Sequence, residues 1–311
     1  MLQGQTTGEG ALMICNLCPR RCAALRTQTH GLGYCRMGTL PQVARAARHL
    51  WEEPCISGEQ GSGTVFFCGC QLGCVFCQNA PISTGKVEGR TLTPRALSEL
   101  FRRVEALGVH NINLVSPTHF APAIFEALRL YKPAMPVVWN SGGYELVEMV
   151  KAAQGLVDVF LPDLKYYRPE TGAEMAAAPD YFDVAMAAIE AMCAQTGAPV
   201  YDAAGMLTRG TLVRHLVMPL RVDETEAILT AIATRLPKGT PVSLMRQYTP
   251  KEGLAPKGLN RRVTAREYAR ARDKMLALGL NGYVQGAGAA SGAFTPAFMD
   301  EESTLLFEGL V

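Results

Sequence analysis

Three cysteines stand within eight residues, Cys70, Cys74 and Cys77, in the run CGCQLGCVFCQN. The spacing C-x3-C-x2-C on a loop lets three thiolates converge on one face of an iron–sulfur cubane. A [4Fe–4S] cluster normally takes four thiolates. Three leave one iron open, and an open iron is a place for chemistry, whereas a fully ligated cluster mainly transfers electrons. Phe76 directly precedes the last cysteine, where an aromatic ring can shield a cluster. The same cysteines also suit a zinc knuckle, although zinc prefers four ligands in a closed site, commonly from C-x2-C pairs.

A second group, Cys15-x2-Cys18-x3-Cys22-x12-Cys35, has Arg20, Arg21 and Arg36 interleaved and Gly31, Gly33 and Gly38 for tight turns. Four thiolates suffice for a closed site holding zinc or a second [4Fe–4S] cluster. Zinc would staple a small lobe; a cluster would relay an electron. Of the ten cysteines, Cys55, Cys68 and Cys193 are left without a ligand role. Cys68 shares the strand face of Cys70, and Cys193 reads as helix core.

The chain has 311 residues, with 30 Lys+Arg against 28 Asp+Glu and a net charge of +2. That balance carries no electrostatic footprint for nucleic acid. A hydrophobic fraction of 48% with 19% charged residues excludes general disorder. No apolar run reaches the length of a membrane span. The opening MLQGQTTGEG lacks the basic-then-apolar order of a signal peptide. A cytoplasmic location is therefore expected, and clustered thiols there bind metal more often than they form disulfides.

Short apolar runs alternate with amphipathic stretches from about residue 63. Strands are expected at 63–67, 111–115, 137–139, 157–161, 212–218 and 242–245. Helices are expected at 93–107, 121–131, 145–154, 181–195, 224–235 and 264–278. This alternation implies parallel βαβ units. The expected fold is α/β, a partial (β/α)6 TIM-like barrel with a small N-terminal cysteine-rich lobe. The expected division is 1–60 for the lobe, 61–285 for the barrel and 286–311 for a tail packing on it. In such barrels the chemistry sits at the C-terminal ends of the strands.

The triplet on the first barrel loop, with its aromatic before the third Cys, resembles the radical S-adenosylmethionine (SAM) superfamily. The segments CVFCQN, NINLVSPTH, NSGGYE, FLPDLKY, VRHLVMP, SLMRQYTP and NGYVQ resemble its pyruvate formate-lyase-activating-enzyme-like branch, in a less characterised group with an N-terminal cysteine motif. The resemblance implies that the open iron chelates the amino and carboxylate groups of SAM. The reduced cluster then cleaves SAM to methionine and a 5′-deoxyadenosyl radical, which abstracts hydrogen from a substrate. Where activating enzymes carry Gly-Gly-Glu after the second strand, this chain has Ser116-Pro117-Thr118-His119. The SAM amino group would then meet Ser116, Thr118 or backbone oxygens, with His119 a candidate for the lining. Asn140 and Ser141 match a loop that, with Asp163, binds a monovalent cation against the SAM carboxylate. Arg214 matches a SAM-contacting arginine, and Gln247 and Tyr248 lie where adenine or ribose is touched. An arginine inside the apolar run LVRHLVM needs a partner in any case, since an unpaired buried charge is costly.

The expected function is thus hydrogen abstraction from a protein, peptide or small molecule, including activation of a glycyl-radical enzyme. A reductant such as flavodoxin or ferredoxin would be the partner, and neither nucleic acid nor membrane is expected. The rival reading is a non-catalytic iron–sulfur electron carrier or zinc-binding protein, which would neither bind SAM nor release 5′-deoxyadenosine.

Overall fold

The computed structural model describes residues 13–250, 253, 258–286, 298 and 300–310. Residues 1–12 of the expected lobe and most of 287–299 of the expected tail lie outside the described residues.

The chain begins with a small antiparallel pair, β1 (Met13–Cys15) and β2 (Ala24–Arg26). Next come β3 (Gln42–His49), β4 (Ser62–Phe67), β5 (Arg90–Thr91), β6 (Ile112–Val115), β7 (Val137–Ser141) and β8 (Val159–Pro162). The series ends with β9 (Val200–Tyr201), β10 (Leu207–Thr211), β11 (Val213–Leu216), β12 (Val242–Met245) and β13 (Gly282–Val284). Strands β4, β6, β7 and β8 run parallel in that order, and every residue of the four is buried. Burial of both faces explains their unbroken apolar runs, since a parallel strand has helices on one side and the core on the other.

Two sheets meet at β8. Its start pairs in parallel with β10, while Asp163, just past its end, bridges to Arg214 on β11. β11, β12 and β13 then continue in parallel. Among the described residues β13 does not pair with β4, so the barrel is open. The strand expected over 212–218 is β11, and β10, which was not expected, ends just before it in the other sheet, the chain passing between the sheets at Leu212. β13 adds a parallel strand beyond the six expected.

β3 precedes residue 61 yet pairs antiparallel with β4, so the main sheet starts inside the segment assigned to the lobe. At the other end, Asp300 caps the helix Glu301–Phe307 and pairs with Arg45 of β3 at 2.9 Å, and Phe307 is buried. Among the described residues no helix is long and apolar enough to cross a membrane.

The helices follow from the same grammar. Over Pro94–Glu105, Thr93 accepts a hydrogen bond from Ala96 N–H, Pro94 opens the first turn, and Leu97, Leu100, Phe101 and Val104 form the buried face. Ala265–Ala277 opens on a capping box of Thr264 and Glu267.

Candidate active site

The C-terminal ends of β4, β6, β7, β8, β11 and β12 open onto one cavity of about 210 Å³. Cys70, Cys74, Cys77, Ser116, Asn140, Ser141, Asp163 and Arg214 all line it, as do Phe76, Gln247 and Tyr248.

The cysteine loop leaves β4 and curls under the barrel mouth. Leu72 N–H donates to Cys70 Sγ at 3.3 Å, Tyr166 Oη to Cys74 Sγ at 3.1 Å, and Ser83 Oγ to Cys77 Sγ at 3.7 Å. Burial pushes the Cys74 thiol up to about 12; Lys165 opposes that and the neighbouring Cys70 and Cys77 add to it. Burial likewise raises Cys70, and Cys77 raises it further. The thiols are thus near enough to repel one another as thiolates, and a bound cationic centre is what offsets that repulsion. Among the described residues no three Cys, His, Asp or Glu groups form a ready site for a single metal ion. Three thiols on one loop, all lining the same cavity, are the soft donor set that an iron–sulfur cluster takes.

Opposite the cysteines lies a buried charge network. Arg214 donates from Nε to Asp163 Oδ1 at 2.8 Å, from Nη1 to Glu52 Oε2 at 3.1 Å and from Nη2 to Asn140 Oδ1 at 2.6 Å. Asn140 Nδ2 donates back to Glu52 Oε1 at 3.1 Å, and Lys165 Nζ pairs with Asp163 Oδ2. Burial alone would raise the Asp163 carboxyl, but Arg214 and then Lys165 pull it below its ordinary range. For Glu52 burial wins over Arg214, and its carboxyl is raised. Gly143 has φ 76°, and a Cβ there would stand 2.1 Å from Asp163 O, so only glycine lets the β7 loop approach β8 this closely.

The oxygens expected to hold a monovalent cation, on Asn140 and Asp163, therefore already accept from Arg214 and Lys165.

Two candidates fall elsewhere. Thr118 is fully buried, donating to Glu145 Oε1 at 2.8 Å and accepting from Gln71 Nε2 at 2.9 Å. His119 is buried beneath Cys68, its Nε2 2.7 Å from Cys68 O, and burial lowers its pKa to about 3. A 3-10 turn over Thr118–Phe120 follows β6 and carries both side chains into the interior. Neither lines the cavity. Ser116, at φ 58°, is the member of that stretch that does.

Glu52, Glu53 and Lys165 are the residues that sequence reasoning did not single out. The signal was Arg214: a cation in an apolar strand needs carboxylates, and Trp51-Glu52-Glu53 supplies two from the β3–β4 connection.

The first cysteine group stands outside the cavity. Cys15 and Cys18 are buried, Cys35 is half-buried and Cys22 is exposed. Cys55, Cys68 and Cys193 are buried, and no disulfide joins any described pair.

The sequence model of the radical SAM superfamily matches residues 64–211, from β4 to the end of β10. An uncharacterized protein of Methanocaldococcus jannaschii is 30% identical over 268 residues, covering 83% of this chain and 72% of that one. The crystal structure of a radical SAM methyltransferase from Sphaerobacter thermophilus is similar, with a TM-score of 0.50 at 17% identity over 76% of this chain and 70% of that one. That likeness concerns the fold. A domain of a pyruvate-formate lyase-activating enzyme from Bacteroides vulgatus aligns at a TM-score of 0.35 and 13% identity over 62% of this chain and 91% of that one, too weak to place the chain in that branch. With a cysteine triplet and a buried charge network facing one cavity at the strand ends, the chain belongs to the radical SAM superfamily.

Proposed function

We propose that this protein is a radical SAM enzyme that abstracts hydrogen from a protein, peptide or small-molecule substrate, activation of a glycyl-radical enzyme being the narrower case. The observation that carries the reading is that Cys70, Cys74 and Cys77 share one cavity with the Asp163–Arg214–Glu52 network.

Cys70, Cys74 and Cys77 would hold a [4Fe–4S] cluster. When bound, the cluster supplies the electron that cleaves SAM to methionine and the hydrogen-abstracting 5′-deoxyadenosyl radical. The residues of this chain bind and orient. Arg214 and Lys165 present positive charge toward a carboxylate, in the place of a monovalent cation. Glu52 offers a carboxylate to an ammonium group, the role left open by Ser116-Pro117-Thr118-His119, and Ser116 lines the same wall. Asn140 and Ser141 add polar atoms from β7. Phe76 and Tyr248, edge to face at 5.7 Å, close the opposite side against water. A cytoplasmic flavodoxin or ferredoxin would deliver the electron.

The test is anaerobic reconstitution followed by incubation with SAM and a strong reductant. The reading expects 5′-deoxyadenosine from the wild type and none after Ala replacement of Cys70, Cys74 and Cys77, with iron lost and SAM retention by equilibrium dialysis weakened. A wild type that neither retains SAM nor releases 5′-deoxyadenosine leaves an electron carrier or a zinc protein instead. Among substrates, deuterium from a labelled polypeptide appearing in 5′-deoxyadenosine separates a protein or peptide from a small molecule.

A further inference from the structure

Arg26 is 2% exposed and, among the described residues, makes no ion pair with a carboxylate. Its guanidinium donates to Met37 O at 3.0 Å, to Gly38 O and to Cys15 Sγ at 3.5 Å. A buried cation without a counter-charge is costly. Cys15 Sγ is one of the partners of Arg26 and Cys35 feels its charge; Cys15, Cys22 and Cys35 in turn all act on Cys18, and a Cβ at Gly33, two residues before Cys35, would lie 2.8 Å from Cys22 Sγ. Among the described residues no three side chains stand ready for a single ion such as zinc. A tetrathiolate iron–sulfur cluster is net negative, so it would supply the charge that Arg26 lacks.

The same lobe grips the loop of the other cysteines. Arg20 donates from Nε to Gln71 O at 2.7 Å and from Nη2 to Leu72 O at 3.3 Å and Ala176 O at 2.6 Å. Its guanidinium lies 4.0 Å over the ring of Tyr34, whose Oη donates to the same Leu72 O at 3.1 Å. Gln71 and Leu72 lie between Cys70 and Cys74; Arg20 is two residues past Cys18, and Tyr34 directly precedes Cys35. Gly69, at φ 76°, completes the contact, since a Cβ there would lie 2.9 Å from Cys35 O.

We propose that Cys15, Cys18, Cys22 and Cys35 hold a second, tetrathiolate iron–sulfur centre with Arg26 as its counter-ion, and that this centre fixes Arg20 and Tyr34 as the clamp on the Cys70–Cys74 loop. The centre stands on its own; the effect of the clamp rests on the cluster reading above.

The full chain carrying Ala at Cys70, Cys74 and Cys77 is prepared anaerobically and its iron and sulfide are measured. About four irons with sulfide per chain supports the centre. Absence of iron overturns it, as does retention of the iron after further Cys15→Ala and Cys18→Ala. For the clamp, R20A and Y34F are compared with wild type for the rate at which a chelator strips the iron held by Cys70, Cys74 and Cys77 and for its EPR line shape, with melting curves confirming the fold. R20A is expected to speed stripping about tenfold and Y34F less, the N-terminal metal being retained. Unchanged rates and spectra in both overturn the clamp. A wild type that holds the N-terminal metal and no other iron sinks the cluster reading and leaves the centre standing.

Discussion

Arg214 Nε lies 2.8 Å from Asp163 Oδ1 at the bridge where β8 of one sheet meets β11 of the other. The seam between the sheets is thus also the polar wall of the cavity. Arg214 is 13% exposed at its side chain and faces Glu52, Glu53 and Asp163. Its replacement by Ala leaves three carboxyls without their shared cation, and is expected to cost about 3–5 kcal/mol. Chemical denaturation measures that loss, and equilibrium dialysis should show SAM retention falling with it.

Glu53 titrates against its surroundings. Burial, opposed by Arg214, raises its carboxyl from 4.5 to about 7. The folded chain therefore holds a proton that the unfolded chain releases earlier, so the contribution of Glu53 is full below the unfolded value and lost as pH rises through about 7. His119 and His215, buried and lowered to about 3 and about 4, act with the opposite sign in part of this range. The expected outcome is thus a difference: the stability of E53Q relative to wild type rises between about pH 4.5 and 7, by ~3 kcal/mol at most. Parallel denaturation curves across that range measure it, and a flat difference would sink the assignment.

Lys165 Nζ pairs with Asp163 Oδ2, one of the oxygens expected to face a monovalent cation. Wild-type SAM retention should be the same in potassium and in choline buffer. K165M frees one Asp163 oxygen, so its retention should drop in choline and recover as potassium is added. Dialysis in the two buffers decides it, and a potassium-dependent wild type would be the opposite result.

Tyr166 donates to Cys74 Sγ at 3.1 Å from a fully buried position. A hydrogen bond to a cluster thiolate stabilises the reduced form, which carries more negative charge. Y166F is expected to shift the cluster potential downward, with the iron content kept. Redox titration followed by EPR reads the shift.

Much of the barrel was legible because its strands are buried on both faces and separated by well-capped helices. β3 was not: QVARAARH is rich in Ala and Arg, which carry little strand signal, and only its pairing with β4 makes it one. β10 was not expected either: LTRGT is interrupted by Arg and Gly, and only its pairing with β8 and β9 makes it a strand. In the site, Cys70, Cys74 and Cys77 were legible from their spacing after the first barrel strand, while Asp163 and Arg214 came from the segments that resemble the activating enzymes. Thr118 and His119 went astray because a single 3-10 turn reverses which side chains face in. Glu52 and Glu53 belong to no motif, and nothing local in a connecting segment tells which distant cation it meets.

Arg20 bonds to the carbonyls of Ala176 and Ala177, the latter 157 residues later in the chain. During synthesis the four N-terminal cysteines emerge first, and the last partners of Arg20 emerge only after more than half of the 311 residues. Arg20 can therefore meet Gln71 and Leu72 early, but its full set of partners forms only once Ala176 and Ala177 have been made, so the lobe's final seating is a late event.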